Sequence, residues 1–189
     1  MATVLDMSMS LDGFVAGPNE RPDNGLGDGG ERLHEWIFPA PDHKAAALSG
    51  VNREVFDELM ATGAVVAGRG TVEPADYWNG DHHDGVPIFI LSRTRTESRW
   101  PLVRFMDDVR AAMTEATGAA GEKDVLVHGV TVARLALAAG VLDELQVHVV
   151  PVLLGRGRRL FEEQHAELER VRVLAGEDGI VHVRYRIRR

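Results

Sequence analysis

The chain has 189 residues, of which 44% are hydrophobic and 26% are charged, a composition typical of a soluble globular protein. Its formal net charge of −8 argues against a nucleic-acid-binding protein, which normally carries a basic domain. The absence of cysteine excludes disulfides and thiolate metal sites. We expect a single domain over residues 1–189. Because the sequence shows no signal-peptide pattern and no apolar run long enough to cross a bilayer, we expect a cytoplasmic protein.

The first predicted element is a strand over residues 3–10, in which apolar and polar residues alternate. Because side chains along a strand point alternately to its two faces, we expect the apolar face to be buried. That face carries Leu5, Met7, Met9 and Leu11. The following segment, residues 17–30, is rich in glycine, asparagine, aspartate and proline. It is either a binding loop or a mobile surface loop.

The middle of the chain alternates helical and strand patterns. Helices are predicted at 31–38, 42–61, 72–77, 107–119 and between 129 and 140, and strands at 64–67, 87–91, 103–106, 125–127 and 145–150. Two further alternating runs, 168–174 and 180–187, are separated by Gly176-Glu177-Asp178-Gly179 and predict a β-hairpin. This order predicts an α/β fold with a mostly parallel, twisted sheet and an antiparallel C-terminal hairpin.

Three of the predicted strands end in turns that carry glycine or polar residues. In a parallel sheet, ligands bind outside the carboxyl ends of the strands. We therefore expect these turns to lie along one edge and to hold an extended ligand with several anionic groups. The turns are Gly68-Arg69-Gly70-Thr71, Ser92-Arg93-Thr94 and His128-Gly129-Val130-Thr131.

Each of the three turns carries different groups that could bind an anion. Gly129 opens a helix, whose free N–H groups and dipole favour negative charge. Arg69 supplies a cation between glycines that allow close approach to the backbone, although an ordinary strand-to-helix turn capped by Thr71 explains the same residues. Ser92 and Arg93 offer a hydroxyl and a guanidinium, which suit a ribose phosphate, whereas a solvated arginine is the alternative.

Two further polar features lie in predicted loops. Asp12 is either a turn aspartate that accepts backbone N–H groups, or a polar anchor or proton donor at the mouth of a site. Arg156, Arg158 and Arg159 form a basic cluster around two glycines. This cluster is either a solvated loop or a contact for a substrate phosphate.

A metal site is not expected. His82 and His83 lie between two aspartates, but adjacent residues in a strand point to opposite faces, and no third ligand follows at a suitable spacing. The sequence also lacks the phosphate-binding G-x-x-x-x-G-K-[ST] loop and the G-x-S-x-G nucleophile elbow.

Several spaced motifs, in a characteristic order, give the chain its resemblance to a known family. They are Ser10-Leu11-Asp12-Gly13-Phe14, Gly68-Arg69-Gly70-Thr71 followed by Tyr77-Trp78, the run from Pro87 to Arg93, the run from Ala139 to Glu144, the run from Pro151 to Gly157, and Leu160-Phe161. On these motifs the chain resembles the dihydrofolate-reductase-like superfamily, and more closely the RibD C-terminal domain family of riboflavin biosynthesis. The resemblance implies the three-layer fold of that superfamily and an NADPH-dependent reductase, commonly a homodimer.

The resemblance also implies which residues bind the cofactor and the substrate. Gly68, Arg69, Gly70 and Thr71 would face the NADPH phosphates, Ser92 and Arg93 the adenosine 2′-phosphate region, and Gly129, Val130, Thr131 and Val132 the pyrophosphate. The substrate would lie over the nicotinamide near Asp12, Trp78, Leu153 and Gly155, with Arg156 available for a substrate phosphate. Two residues depart from the family pattern: Gly70 replaces a frequent second arginine, and His128 replaces the first of two consecutive glycines.

Three functional hypotheses remain. The first is an NADPH-dependent reductase of a small heterocyclic substrate, similar to 5-amino-6-(5-phosphoribosylamino)uracil reductase of riboflavin biosynthesis or to dihydrofolate reductase. Asp12 is the first candidate for its proton donor, ahead of Asp42 and Glu54. The second is a non-catalytic nucleotide-binding or regulatory protein on the same fold. The third is a flavin- or folate-binding interaction module.

Overall fold

The structure, a computed structural model, describes residues 1–21, 23–38 and 48–189. The strands are β1 Thr3–Ser10, β2 Phe14–Ala16, β3 Ala64–Gly68, β4 Ile88–Leu91, β5 Val103–Met106, β6 Val125–His128, β7 Glu144–Val150, β8 Arg158–Arg159, β9 Leu168–Ala175 and β10 Val181–Ile187. The α-helices are α1 Gly50–Met60, α2 Arg69–Val72, α3 Val109–Ala120 and α4 Val130–Ala138. Within the described residues, no helix is both long and apolar enough to cross a bilayer.

Eight strands form one sheet in the order β5-β4-β3-β6-β1-β7-β10-β9. All neighbours from β5 to β7 are parallel, whereas β10 runs antiparallel to both β7 and β9. β2 and β8 form a separate antiparallel pair. The predicted fold class and the predicted C-terminal hairpin are therefore confirmed. Because the parallel strands run in one direction, their carboxyl ends lie along a single edge of the sheet.

One face of the sheet is covered by α3 and α4, and its core is aliphatic. Its buried members include Leu5, Val66, Phe89, Val127 and Val147 of the strands and Ala112, Ala116, Ala133 and Ala136 of the helices. The alanines let the helices approach the sheet closely, so the interface has the dense packing of a protein interior. Each fully buried aliphatic or aromatic side chain of this kind stabilises the fold by about 1.5–3 kcal/mol.

The other face, covered by α1 and the 3-10 helix Gly30–His34, corrects the prediction for β1. The face with Leu5 was expected to be the buried one, but the opposite face is buried as well. Asp6 is 5% exposed and Ser8 is 6% exposed, whereas Leu11, just past the strand, is 66% exposed. β1 lies in the middle of the sheet, so the polar positions of its alternating pattern are also covered.

Three predicted helices differ from the structure. The helix predicted at 31–38 is observed only as the 3-10 helix Gly30–His34. The helix predicted at 72–77 is wrong, because α2 ends at Val72 and a turn follows. Tyr77, Trp78 and Asn79 have φ angles of 54°, 50° and 53°, which a right-handed helix does not allow. The helix predicted at 42–61 is observed only as α1, from Gly50. Residues 42–47 of that prediction lie outside the described residues.

Candidate active site

Two of the predicted turns meet at the carboxyl edge of the sheet. β3 and β6 are neighbours, so the turn after Gly68 lies beside the start of α4. The approach is so close that a Cβ added to Gly129 would lie 2.2 Å from Thr71 Oγ1. Gly129 also has a φ of 101°, a backbone conformation that glycine adopts without strain. Both facts require glycine at this position.

Arg69 connects the third turn to these two. Its Nη1 donates to Thr94 Oγ1 at 2.8 Å, and its Nε donates to Glu73 Oε1 at 2.8 Å. The hydrogen bond from Arg69, together with its charge, lowers the pKa of Glu73. The three turns thus lie together, as expected for parallel strands. The guanidinium of Arg69, however, is already partly engaged within the protein.

The first turn of α4 offers backbone N–H groups that no side chain caps. Gly129 is the N-cap residue and makes no side-chain hydrogen bond to the helix. Ala133 is the first residue whose N–H is satisfied by the helix, through Gly129 O. The N–H groups of Val130, Thr131 and Val132 come before it. Uncapped N–H groups at the positive end of a helix favour a bound anion.

Ser92 and Arg93 have different roles in their turn. Ser92 is buried, and its Oγ accepts from the N–H groups of Thr94 and Arg95 at 3.3 and 2.9 Å, so its hydroxyl shapes the turn. Arg93 is exposed and pairs with no acid among the described residues. The same is true of Arg156. The charges of these two arginines remain available to a ligand.

The loop after β7 approaches the same edge through Arg158. Its Nε donates to Glu20 Oε1 at 2.9 Å, which ties β8 to the glycine-rich loop 17–30. Its Nη1 lies 3.4 Å from the position that a Cβ on Gly70 would take. A cation of the later loop therefore lies beside the turn after β3.

Asp12 anchors the loop that follows β7. Its Oδ1 accepts from Ser10 Oγ at 2.6 Å and from the N–H of Leu154 at 3.1 Å, and its Oδ2 accepts from the N–H of Gly155 at 2.7 Å. The hydrogen bond from Ser10, followed by those from the backbone, lowers the pKa of Asp12. A carboxylate held in its charged form donates a proton poorly. Its contacts therefore favour the anchoring role over the proton-donor role.

The residues expected near the substrate lie in different surroundings. Leu153 is 69% exposed, next to the loop that Asp12 anchors. Trp78 instead packs against a buried cluster that includes Val65, Ile88 and Leu126, and its ring centroid lies 6.5 Å from that of His128. The two lesser candidates for the proton donor are Glu54, which is exposed on α1, and Asp42, which lies outside the described residues.

A layer of polar side chains, which the sequence analysis missed, lies between the sheet and its α1-side cover. We call it the polar layer. Its members are Asp6, His128, His148 and His182 from β1, β6, β7 and β10, with His34, Trp36, Asn52 and His82 from the covering segments. Four neighbouring strands thus contribute a titratable side chain to the same interior face.

The polar layer contains a continuous hydrogen-bonded chain. Asp6 Oδ1 lies 3.0 Å from His148 Nε2, the Nδ1 atoms of His148 and His182 are 2.8 Å apart, and His182 Nε2 lies 3.0 Å from Asn52 Oδ1. With the Asn52 amide oriented in this way, its oxygen accepts and His182 donates from Nε2. Burial lowers the pKa of His182 to about 4, so its Nδ1 accepts. His148 therefore donates to His182 from Nδ1, and its Nε2 lies against the carboxylate of Asp6.

The charge of Asp6 agrees with this arrangement. Burial by itself raises the pKa of Asp6, but the charge of His148 and the hydrogen bond from it lower it on balance. Gln146 Nε2 also donates to Asp6 Oδ2, at 3.3 Å. A buried carboxylate remains charged only with such partners. The polar layer therefore holds a buried carboxylate whose partners are His148 and Gln146.

The sequence contains a signal for the polar layer, but only in retrospect. Asp6 and Ser8 alternate with apolar residues in β1, and Gln146 and His148 do so in β7. Each strand alone has the pattern of a half-exposed strand. The register pairs Ser8 with His148, and His148 with His182, which turns separate polar positions into one network.

The paired histidines lie in a loop. The Nδ1 atoms of His82 and His83 are 2.7 Å apart. His83 Nε2 lies 3.1 Å from the carbonyl oxygen of Thr62, and burial lowers the pKa of His82 to about 3. In the part of the chain that the structure describes, no group of three His, Cys, Asp or Glu side chains could hold a metal ion.

Comparison with known proteins identifies the family. The sequence matches the RibD C-terminal domain over residues 2–182. The chain belongs to the RibD C-terminal domain family. This membership supports a reductase of the kind found in riboflavin biosynthesis, as the motifs implied. No protein of curated function matches the sequence.

Three solved structures share the fold of this family member. A protein named for riboflavin biosynthesis from Shewanella sp. PV-4 has a TM-score of 0.74 and 20% identity, with 100% of each chain covered. A pyrimidine reductase-like protein from Corynebacterium diphtheriae has a TM-score of 0.59 and 13% identity, covering 100% of this chain and 92% of the other. RibD from Acinetobacter baumannii has a TM-score of 0.63 and 19% identity, covering 100% of this chain but 59% of RibD. Identities this low show the fold alone.

Proposed function

We propose that this RibD C-terminal domain protein is an NADPH-dependent reductase of a small heterocyclic substrate. The observation that carries the proposal is the meeting of three turns at one sheet edge, with the uncapped start of α4 at its centre. In open α/β sheets, such an edge is where nucleotides bind. Two arginines without an acidic partner among the described residues, Arg93 and Arg156, lie in the loops that follow β4 and β7.

The residues at the edge fit a dinucleotide with several phosphates. The N–H groups of Val130, Thr131 and Val132 would bind the pyrophosphate, and Gly129 allows the helix to start close to the neighbouring turn. Arg93 would face the 2′-phosphate that distinguishes NADPH from NADH. The bound cofactor would supply a hydride. The protein's own part is to orient the two rings, to exclude water and to supply a proton.

The proposed substrate is a pyrimidine or pteridine ring. This proposal rests on family membership and on the names of two relatives, RibD and a pyrimidine reductase-like protein. A phosphate on such a substrate would meet Arg156, whose charge has no acidic partner in the described structure. Trp78, beside β6, would offer its ring to a planar substrate.

A specific observation favours a second function, that of a nucleotide-binding protein without catalysis. Asp12, the first candidate for the proton donor, is held as a carboxylate by three hydrogen-bond donors. Glu54 is exposed on α1. A protein that lacks a proton donor would still bind the nucleotide at the same edge, so binding and turnover must be measured separately.

Thermal unfolding with and without NADPH tests the binding. A ligand at about 100 times its dissociation constant stabilises the fold by about 2.7 kcal/mol, which for a chain of this size raises Tm by about 5–10 °C. No shift with millimolar NADPH would contradict the proposed function.

Oxidation of NADPH, followed by absorbance across a panel of pteridines, pyrimidines and carbonyl compounds, then tests catalysis. A thermal shift without oxidation supports the second function, and flavins and folates in the same assay test the interaction module.

Gly129→Val should abolish NADPH binding while the protein remains folded. The added side chain would collide with Thr71 Oγ1, and a φ of 101° strains a non-glycine residue by about 1–3 kcal/mol. Gly140→Val, just past the other end of α4, is the matched control. Gly140 also has a positive φ, but no atom lies within 4 Å of its added Cβ. Thermal shifts with NADPH should persist in Gly140→Val, and retained affinity in Gly129→Val would remove this turn from the site.

We also propose that the protein forms a homodimer through β9 and β10. On the edge strand β9, Val171 and Val173 are 44% and 49% exposed, and Val173 pairs with Val183 of β10. An edge strand that exposes aliphatic side chains is uncommon in a monomer. Val173→Asp should convert a dimer into a folded monomer, measured by size-exclusion chromatography with light scattering. A wild-type monomer at micromolar concentration would contradict the dimer.

A further inference from the structure

His128 lies between the polar layer and the edge where the three turns meet. It is the last residue of β6, and Gly129 follows it directly. Along β6, Val125 and Val127 belong to the aliphatic core under α3 and α4. Because side chains alternate along a strand, His128 points to the opposite face, toward the polar layer. Its ring centroid lies 6.5 Å from that of Trp78.

The imidazole of His128 is incompletely satisfied. Its Nδ1 is buried and has no hydrogen-bond partner among the described residues. A buried polar atom without a partner costs stability and is rare in native proteins. His128 also hydrogen-bonds to the backbone of Asp6, so Nδ1 is the nitrogen at which a proton would be taken up.

Titratable groups surround His128 from four elements. Asp6 of β1 carries a carboxylate, and His148 of β7 is paired with it. From the covering segments, His34 and His82 are neutral, because burial lowers their pKa to about 4 and about 3. Burial also lowers the pKa of His128, although the carboxylate of Asp6 opposes this. Without a ligand, His128 is therefore a neutral imidazole at neutral pH.

An anion bound at the start of α4 would raise the pKa of His128. The positive end of the helix begins one residue after His128 and disfavours a second positive charge there. A pyrophosphate bound to the N–H groups of residues 130–132 would neutralise that end and add negative charge beside the ring. Negative charge within about 4–6 Å favours the imidazolium, and Asp6 acts in the same direction.

Resting on the proposed function, we propose that His128 takes up a proton when the dinucleotide binds and gives it to the substrate during the reduction. When a C=N or C=O bond is reduced, the carbon gains a hydride and the neighbouring nitrogen or oxygen gains a proton. The hydride comes with the reduced cofactor, which is oxidised. The proton comes from the imidazolium of His128, which returns to the neutral form. Asp6, paired with His148, is a positioning residue that favours the charged ring.

Calorimetric titration with NADPH in buffers of different ionisation enthalpy tests the proton uptake. We expect the binding heat of the wild-type protein at about pH 7.5 to vary with the buffer, with a net uptake of up to about one proton per cofactor. The same uptake is expected with NADH, because the pyrophosphate and not the 2′-phosphate causes it. A binding heat that is independent of the buffer would overturn the inference while leaving the proposed function intact. Absence of any binding would instead contradict the proposed function, and the inference with it.

His128→Gln identifies the group that takes up the proton. Glutamine keeps a polar side chain of similar length but does not titrate, so binding should persist and the dependence on the buffer should disappear. His83→Gln is the matched control, since His83 is a buried histidine that contacts Thr62 and His82 and not the residues at the start of α4. It should show the wild-type uptake. Uptake retained in His128→Gln would assign the proton to another group.

The rate of NADPH oxidation shows whether His128 donates a proton or has only a structural role. His128→Gln should slow turnover by about 10²–10⁴-fold, the usual contribution of a general acid, without a matching change in NADPH affinity. In His128→Gly, added imidazole should restore part of the rate. An unchanged rate in His128→Gln, or a His128→Gly variant as fast as the wild type, would overturn the donor role.

Discussion

The face of the sheet under α3 and α4 buries aliphatic side chains, whereas the face toward α1 buries the carboxylate, imidazole and amide groups of the polar layer. Adjacent residues of β1 illustrate the difference: Leu5 is 0% exposed on the first face and Asp6 is 5% exposed on the second. Both residues are therefore interior. Their energetic roles differ, because Leu5 gains free energy from burial alone, and Asp6 is tolerated only with its partners.

Among the described residues, charged groups are therefore buried on the α1 side of the sheet and not under α3 and α4. Aliphatic packing under α3 and α4 stabilises the sheet independently of pH. The polar layer gives no such net gain, because its hydrogen bonds roughly offset the desolvation of its polar groups. It adjoins the carboxyl edge, where His128 and Gly129 follow one another.

Asp6→Ala should produce the largest loss of stability, about 3–5 kcal/mol, because it leaves the Nε2 groups of His148 and Gln146 buried without their acceptor. Leu5→Ala on the other face should cost about 2–5 kcal/mol through a cavity. Urea unfolding at about pH 7 of Asp6→Asn, which keeps an acceptor oxygen of the same reach, distinguishes the two causes. Asp6→Asn should cost less than Asp6→Ala. Equal losses in the two variants would mean that the hydrogen bonds to Asp6 do not stabilise the fold.

Acid should destabilise the protein through the polar layer. Burial lowers the pKa of His34 and of His182 to about 4, from the ordinary value of 6.5. Between about pH 6.5 and 4 the unfolded chain therefore binds more protons than the folded one, so the free energy of unfolding falls as the pH falls. Each such histidine contributes at most about 1.4 kcal/mol per pH unit.

Unfolding curves of the wild type and of His34→Gln between about pH 7 and 4 measure this contribution. The wild type should lose stability over that window, and the variant should lose less. If the two curves run parallel, His34 is not the buried neutral histidine that the structure describes. The aliphatic face offers a further control, because Leu5→Ala should leave the pH dependence unchanged.

Arg93→Ala should have the smallest effect, and only on the cofactor. The side chain is exposed and forms no ion pair with a described residue, so the stability of the free protein should change by less than about 0.5 kcal/mol. Affinity for NADPH should fall about tenfold, through the loss of a charged hydrogen bond of about 1.5 kcal/mol. Affinity for NADH should hardly change. An equal loss for both cofactors would refute the contact with the 2′-phosphate.

The turns of the carboxyl edge could be predicted because their signals are local. Gly129 lies between a strand and a helix in the sequence, and Arg69 lies between two glycines after a strand. The partners of Asp12 could not be predicted in this way, since Leu154 and Gly155 are 142 and 143 residues away along the chain. The contact between Asp12 and this loop forms only through tertiary packing. The pattern of each separate strand carries no information about it.

The polar layer was missed for the same physical reason. The alternation of β1 identifies an apolar face, but the burial of the polar face depends on neighbours on both sides and on the covering segments. His148 contacts Asp6 across β1 and β7 and contacts His182 across β7 and β10. His128 stood out in the sequence as a departure from the family pattern. Only the structure showed that its Nδ1 has no partner among the described residues and that it lies beside Asp6.

A crystal structure of the protein soaked with NADPH tests the central claim most directly. We predict a pyrophosphate within about 2.7–3.2 Å of the N–H groups of Val130, Thr131 and Val132, with the nicotinamide on the side of His128 and the 2′-phosphate beside Arg93. The polar layer should keep its hydrogen-bonded chain from Asp6 to Asn52. A cofactor bound away from the start of α4, or no bound cofactor at saturating NADPH, would contradict the account.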